Sequence, residues 1–296
     1  MDPLPPPRRS MPVAALLPGS FVLLWSTGFI GARMGVPHAD PLTFLFLRFL
    51  IAGGILFAVA LTLRSTWPRD RAALSATLAV GVLIHGVYLG GVFWAIARGM
   101  PAGVAALIVA LQPLMTAILA APLLGERVGR AHWFGLGIGL AGLALVIGPK
   151  LEWTGTGITV ATVGACVLSV LAIVLGSILQ KAKGGATDLA SGTCLQYAGG
   201  AVVVGIAAVA SEPMRIDWTP QFVFALGWLV VVLSLGAVLI YYVLIRRGAV
   251  ARLATLFYLV PPVTAVVAWA LFGETLTPLQ LVGMAVTVGG VAIATR

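Results

Sequence analysis

Charge is scarce in this chain. Only 9% of its 296 residues are Asp, Glu, Lys or Arg, while 60% are hydrophobic and the mean hydropathy is +1.08. A soluble domain carries about 25% charged residues, so this composition excludes one and points to an integral membrane protein. Acidic residues are the scarcest charge, nine against 18 basic ones. All of them (Asp2, Asp40, Asp70, Glu126, Glu152, Asp188, Glu212, Asp217 and Glu274) fall between apolar runs or at their ends, which leaves the apolar interior without a carboxylate. Proton relays and cation sites in membranes ordinarily use buried carboxylates. Their absence argues against a proton-driven exporter of cationic drugs and for a facilitator of neutral or zwitterionic solutes. Cysteine is nearly missing too: Cys166 and Cys194 both lie inside apolar runs, where they read as small buried hydrophobes and offer neither a disulfide framework nor zinc spacing. No GxSxG, no metal motif and no span-end cluster of His, Asp or Glu is present, so no enzyme, catalytic residue, metal or cofactor is expected. The net charge of +9 is spread over the loops rather than gathered on one face, which excludes nucleic acid as a partner.

What is there is a duplication. Gly125-Glu126, followed by Gly135 and Gly142, returns as Gly273-Glu274, followed by Gly283 and Gly290, a constant shift of 148 residues. The same shift carries Leu47-Arg48-Phe49 onto Leu195-Gln196-Tyr197, and Pro113 onto Pro261. Internal repeats come before any assignment of fold. The two units are 13–149 and 154–296, after a proline-rich tail over 1–12 that Pro3, Pro5, Pro6 and Pro7 keep extended.

Spans of about 20 residues cross roughly 30 Å of hydrocarbon. The apolar runs predict ten: 13–33, 43–63, 73–97, 101–123, 131–149, 156–180, 189–210, 220–245, 250–272 and 278–295. Asp40-Pro41, Thr219-Pro220 and Thr277-Pro278 each put an oxygen acceptor before a proline, the pattern of a helix start. With ten spans, 13 of the 18 basic residues gather on one side and only Arg33, Arg98, Lys150 and Arg215 on the other, with Arg48 alone inside a span. That asymmetry places both termini in the cytoplasm. Five spans per unit is an odd number, so the second unit lies inverted relative to the first. Inverted repeats around a midplane site are the usual build of secondary transporters, because exchanging the conformations of the halves moves the opening from one face to the other.

Two five-helix units, each with a Gly-Glu turn before a glycine-rich last helix, and Arg48-Phe49 in the second span, resemble the EamA-type drug/metabolite transporter superfamily over almost the whole chain. His85 and Tyr88 in the third span look most like the YddG-like aromatic amino-acid exporters within it. The resemblance implies ten transmembrane helices around a central cavity lined by helices 1, 3, 4, 6, 8 and 9. It also implies export from a bacterial cytoplasm; alternating access between the repeats, a place in the inner membrane and a monomer embedded in the bilayer are the further expectations.

The candidate substrate-binding residues are His85, Tyr88, Gln112, Trp25, Tyr241, Tyr258 and Ser169. His85 lies at the centre of its span with Tyr88 one turn on, a pair that could hydrogen-bond a polar solute; the bland alternative is a packed histidine held by a carbonyl. Trp25 and Tyr241 could stack on aromatic or bulky apolar side chains, although aromatics at helical spacing are more often core. Ser169 could equally bond its own helix backbone. Pro113, Pro261 and Pro262 interrupt helical hydrogen bonding at repeat-related places and read as hinges beside a cavity, with Gln112, Thr116, Tyr258 and Trp269 as wall residues. Arg48 could snorkel, brace a neighbouring helix or meet a substrate carboxylate; Gln196 at the equivalent place favours bracing. Gly137-Ile138-Gly139-Leu140-Ala141-Gly142 spells GxGxxG inside a span, where close helix packing is sufficient explanation. The glutamates of the Gly-Glu turns are expected to meet free amides at the start of the helix that follows. Small neutral amino acids with aromatic or bulky side chains are the expected cargo. A broad-specificity drug exporter would be favoured by an acid inside a span, and a membrane-embedded enzyme by a catalytic cluster.

Overall fold

The computed structural model describes residues 13–100, 105, 108–148, 157–184, 187–273 and 276–295. The tail, the first residues of the fourth span and Glu274 lie outside them. Among the described residues the chain forms ten long helical stretches, a short 3₁₀ helix over Val36–His38, and no sheet. The ten are α1 Val13–Gly35, α2 Pro41–Thr62, α3 Arg71–Ala97, α4 Gln112–Leu124, α5 Arg130–Ile147, α6 Val160–Lys183, α7 Leu189–Ser211, α8 Pro220–Arg247, α9 Val250–Phe272 and α10 Pro278–Ala294. Six of them (α2, α3, α6, α7, α8 and α9) are long and apolar enough to cross a membrane, and α4, α5 and α10 are shorter apolar helices. This is an all-helical, membrane-type fold.

The helix starts follow the polar residues of the loops, with one exchange of roles. Thr219 accepts a hydrogen bond from the amide of Phe222 at 3.2 Å, and Thr277 with Gln280 closes a capping box at the start of α10. Asp40 precedes Pro41 as expected but does not cap α2. Its carboxylate accepts from the amide of Arg215 at 2.8 Å, and Glu212 takes the amides of Leu42 and Thr43, each at 2.8 Å. Glu126 departs from expectation in a parallel way. It caps not the next helix but α9, accepting from the amides of Val250 at 2.7 Å and Ala251 at 3.1 Å. Gly125 and Gly273, 148 residues apart, end α4 and α9 in the left-handed conformation at φ 69° and 66°, which turns the chain sharply without the clash a Cβ would bring.

Three helices and the approach to a fourth are irregular, at places the repeat relates in pairs. The middle of α3, Val82–Leu89, and of α8, Leu229–Ala237, is π-helical. Ahead of the prolines, α9 tightens into a 3₁₀ stretch over Thr255–Leu259, and the chain before α4 makes a turn closed by the Leu111 amide on the Ile108 carbonyl at 3.0 Å. Proline cannot supply the amide that would continue the preceding turn, so the helix restarts at it.

Packing is closest between equivalent helices. Along α5 and α10, a Cβ on Gly135 would come 2.6 Å from the Gly290 carbonyl oxygen, and one on Gly142 would come 2.8 Å from that of Gly283. Glycine lets these backbones touch. The pairing is reciprocal and runs in opposite directions along the two helices. On the other side of the bundle α2 lies against α7, where Cys194 Sγ donates to the Gly53 carbonyl at 3.4 Å and Phe46 covers Gly205.

Loop contacts gather at two ends of the bundle. At one end Glu126 holds Val250, Ser191 donates to the Thr66 carbonyl at 2.7 Å, Arg246 to that of Thr187 at 2.7 Å, and His132 Nδ1 to that of Ala294 at 2.8 Å. At the other end Asp40 pairs with Arg215, the Asp217 amide donates to His38 at 2.7 Å, and Gln280 Nε2 donates to the Val146 carbonyl at 3.1 Å.

Candidate functional site

The interior between α2, α3, α7 and α8 is threaded by polar side chains that hold one another. Arg48 Nε donates to Ser234 Oγ at 2.9 Å, and Tyr197 Oη donates to the carbonyl of the same serine at 2.9 Å. The Tyr197 ring stacks on His85 with centroids 4.4 Å apart and planes 26° apart, and His85 Nε2 shares a hydrogen bond with Tyr242 Oη at 3.1 Å. Every member is buried: Arg48 is 4% exposed, His85 1%, and Ser234, Tyr197 and Tyr242 not at all. Both His85 and Ser234 belong to π-helical turns, whose i to i+5 bonding redirects side chains and is frequent at functional sites. No Asp or Glu is buried among the described residues, so the charge of Arg48 has no counter-ion in the core.

Beside this chain stands an aromatic enclosure. Trp25 of α1 meets Phe21 at 5.2 Å, Tyr241 of α8 at 5.7 Å and Phe257 of α9 edge-on at 5.3 Å, while Phe21 stacks on Tyr241 at 5.6 Å. Ser177 of α6 hydrogen-bonds Tyr241 Oη at 2.5 Å and fixes that ring. Tyr241 and Tyr242 are neighbours in sequence, with ring centroids 5.8 Å apart, so the polar chain ends where the enclosure begins. Four helices, α1, α6, α8 and α9, thus meet at one aromatic group.

The residues singled out from the sequence fall into three groups. His85, Trp25 and Tyr241 come together as described. Tyr88 does not share the environment of His85, because the π-turn between them is wider than an α-turn. It packs with Ala172 and Ile173 of α6 and reaches the enclosure through Phe257. Gln112 is 1% exposed and its Oε1 has no hydrogen-bond partner among the described residues, while its carbonyl accepts from Thr116 at 2.8 Å. Ser169 bonds the carbonyls of Ala165 at 2.8 Å and Val87 at 3.3 Å, at the seam of α3 and α6. Tyr258 turns toward α5, against Gly139, in a separate cluster with Leu136, Leu143 and Val291, and its hydroxyl has no partner among the described residues. Trp269, expected as a wall residue, is 55% exposed on the outside of the bundle. Pro113 and the pair Pro261 and Pro262 stand where α4 restarts and where α9 resumes after its 3₁₀ stretch.

Sequence reasoning misses Phe21, Ser177, Tyr242 and Phe257. Their signal is long-range contact, which spacing within one helix does not carry. Tyr197 stands out in the sequence only as the equivalent of Phe49, and nothing in its own span marks it as the ring on His85.

A bundle of apolar helices whose buried polar groups bond to one another and to broken helix turns defines a polytopic membrane protein with an internal polar site. The model of the EamA-like transporter family matches residues 14–148 and again 156–296. The chain belongs to that family of transporters. It is 28% identical over 289 residues, 97% of this chain and 92% of the other, to the protein called uncharacterized inner membrane transporter YedA of Escherichia coli K12. To the probable amino-acid metabolite efflux pump of Salmonella typhimurium LT2 it is 27% identical, over 92% of this chain and 91% of the other. To the probable terminal-alkyne amino-acid exporter of Streptantibioticus cattleyicolor it is 28% identical, over 93% and 91%. One solved crystal structure, 21% identical, superposes with a TM-score of 0.78 over 96% of this chain and 97% of that one, a likeness of fold.

Proposed function

We propose that this protein exports small neutral amino acids with aromatic or bulky apolar side chains across a bacterial inner membrane, by alternating access between two inverted five-helix halves and without proton coupling. The carrying observation is the junction of the His85 polar chain with the Trp25, Phe21, Tyr241 and Phe257 enclosure, which offers hydrogen bonds and an aromatic wall side by side. The relatives named as amino-acid metabolite efflux pump and amino-acid exporter support the same cargo class and direction. The absence of a buried carboxylate among the described residues supports a facilitator.

Inversion is supported by the opposed, reciprocal glycine pairing of α5 with α10 and by the sorting of loop contacts into two ends. In this reading both termini are cytoplasmic and the monomer is the working unit. His85, Tyr88, Gln112, Trp25 and Tyr241 receive the solute, and the breaks at Pro113, Pro261 and Pro262 serve as hinges. Ser169 and Tyr258, whose surroundings are helix seams, support packing.

The test is flux of labelled phenylalanine or threonine into liposomes holding the purified protein, with no proton gradient imposed. Flux above empty liposomes, reduced about tenfold in His85→Ala and Gln112→Ala, is expected. Flux no greater than in empty liposomes across a panel of amino acids would sink the cargo assignment. Dependence on an imposed proton gradient would overturn the facilitator.

A further inference from the structure

Arg48 lies seven residues into α2, about 10 Å along the helix axis at 1.5 Å per residue. At 4% exposure it does not snorkel to either surface. A guanidinium carries five N–H donors. Among the described residues one of them is used, Nε on Ser234 Oγ at 2.9 Å, with the Phe49 ring 5.9 Å from Cζ. Nη1 and Nη2 make no hydrogen bond among the described residues, yet they are not among the sealed polar atoms left without a partner, so they stay accessible, and no buried carboxylate balances the charge.

Bracing α8 does not account for this. The equivalent residue in the second half, Gln196, braces α6 through a neutral amide, donating from Nε2 to Gln180 Oε1 at 2.8 Å. A buried cation without a partner is costly in a membrane interior, and a glutamine would hold Ser234 as well. The charge therefore serves an anion that is not part of the chain. Paired N–H groups of a guanidinium match a carboxylate in bidentate geometry.

We infer that Arg48 receives the carboxylate of the transported solute through its two Nη groups, and that the site selects carboxylic acids with the amino group optional. This rests on the reading of the solute as an amino acid and says which of its groups is recognised. The polar chain runs from Arg48 through Ser234, Tyr197 and His85 to Tyr242, whose ring lies 5.8 Å from Tyr241 of the aromatic enclosure, so one continuous series of contacts links Arg48 to the aromatic wall. The ammonium group finds no buried acid among the described residues. Its loss is tolerated and the loss of the carboxylate is not.

The experiment is competition against labelled phenylalanine flux in liposomes holding the wild-type protein. The competitors are phenylalanine, phenylalaninamide, 2-phenylethylamine and 3-phenylpropanoate. Phenylalanine and 3-phenylpropanoate are expected to compete at least tenfold better than the amide and the amine. Arg48→Gln, which keeps a donor for Ser234, brings the four within twofold of one another while a purely structural role would leave their order intact. Amide and acid competing within twofold on the wild-type protein overturns the inference and leaves amino-acid transport standing. If phenylalanine is not moved at all, the proposed cargo fails. Thermal unfolding with 3-phenylpropanoate then decides the arginine: stabilisation that Arg48→Gln abolishes upholds the carboxylate site, and none in the wild type overturns it. Should the variant not fold, the wild-type series alone decides.

Discussion

Phe49 and Tyr197, 148 residues apart and equivalent in the two halves of the chain, stack on each other with ring centroids 5.7 Å apart and planes 30° apart. Each ring thus meets its own equivalent across the α2–α7 contact. Both rings also touch His85, at 5.5 and 4.4 Å, which puts the histidine beside that meeting point. Phe49→Ala should remove a fully buried ring and lower stability by about 3–5 kcal/mol. Tyr197→Phe keeps the stack and loses one hydrogen bond to the Ser234 carbonyl, for about 1 kcal/mol. Unfolding in detergent followed by thermal midpoint should show a several-fold larger drop for the first. Equal drops would mean that the hydroxyl, and not the stack, holds this contact.

The duplication is legible because Gly-Glu and the glycines after it recur at fixed spacing, and the helices because apolar runs in so uncharged a chain leave few alternatives. What spacing does not carry is partnership between distant segments. Glu126 reads as a cap for α5 because α5 comes next, yet its acceptors serve the amides of Val250 and Ala251, more than a hundred residues on. His85 and Tyr88 share one face only on a regular α-helix. The π-helical middle of α3 has no residue signature, and it sends them to different neighbours. Gly139 within the GxGxxG run reads as packing, and it meets the Tyr258 ring and the Gly290 backbone.

The α5–α10 seam predicts a sharp contrast on a single helix. Gly142 faces Gly283 and Thr287, where a Cβ would come 2.8 Å from a carbonyl oxygen, whereas a Cβ on Gly137 meets nothing within 4 Å. Gly142→Val should sharply reduce the yield of folded, monodisperse protein, because backbone and not a flexible side chain stands in the way. Gly137→Ala should match or slightly exceed the wild type, since alanine is the better helix former by about 1 kcal/mol. Size-exclusion profiles of the two variants check this, and a well-behaved Gly142→Val would show that the seam is loose.

Glu126 predicts a graded series at the start of α9. Its two carboxylate oxygens take two backbone amides that no turn of the same helix can satisfy. Hydrogen bonds to a charged group contribute about 1.5–3 kcal/mol. Glu126→Ala should therefore cost most of that range, and Glu126→Gln, which keeps one acceptor, about half as much. The order in thermal midpoint should be wild type, Gln, Ala. A midpoint for Glu126→Ala equal to that of the wild type would show that water caps α9 as well as the carboxylate does.

The proposed inversion of the halves would sort the loops by side, and single cysteines can report it. The native thiols, Cys166 and Cys194, are both buried and should stay silent. Arg127 and Arg247 are exposed at the end of the bundle where Glu126 meets Val250, and Trp218, 63% exposed, stands at the opposite end near Asp217 and His38. With ten crossings and a cytoplasmic amino terminus, Trp218→Cys should react with a membrane-impermeant maleimide in intact cells. Arg127→Cys and Arg247→Cys should react only after the cells are opened. The two arginines lie in different halves, so their agreement tests the inversion itself. Half-units of the same orientation would put Arg127 and Arg247 on opposite sides, and one of the two would then label in intact cells.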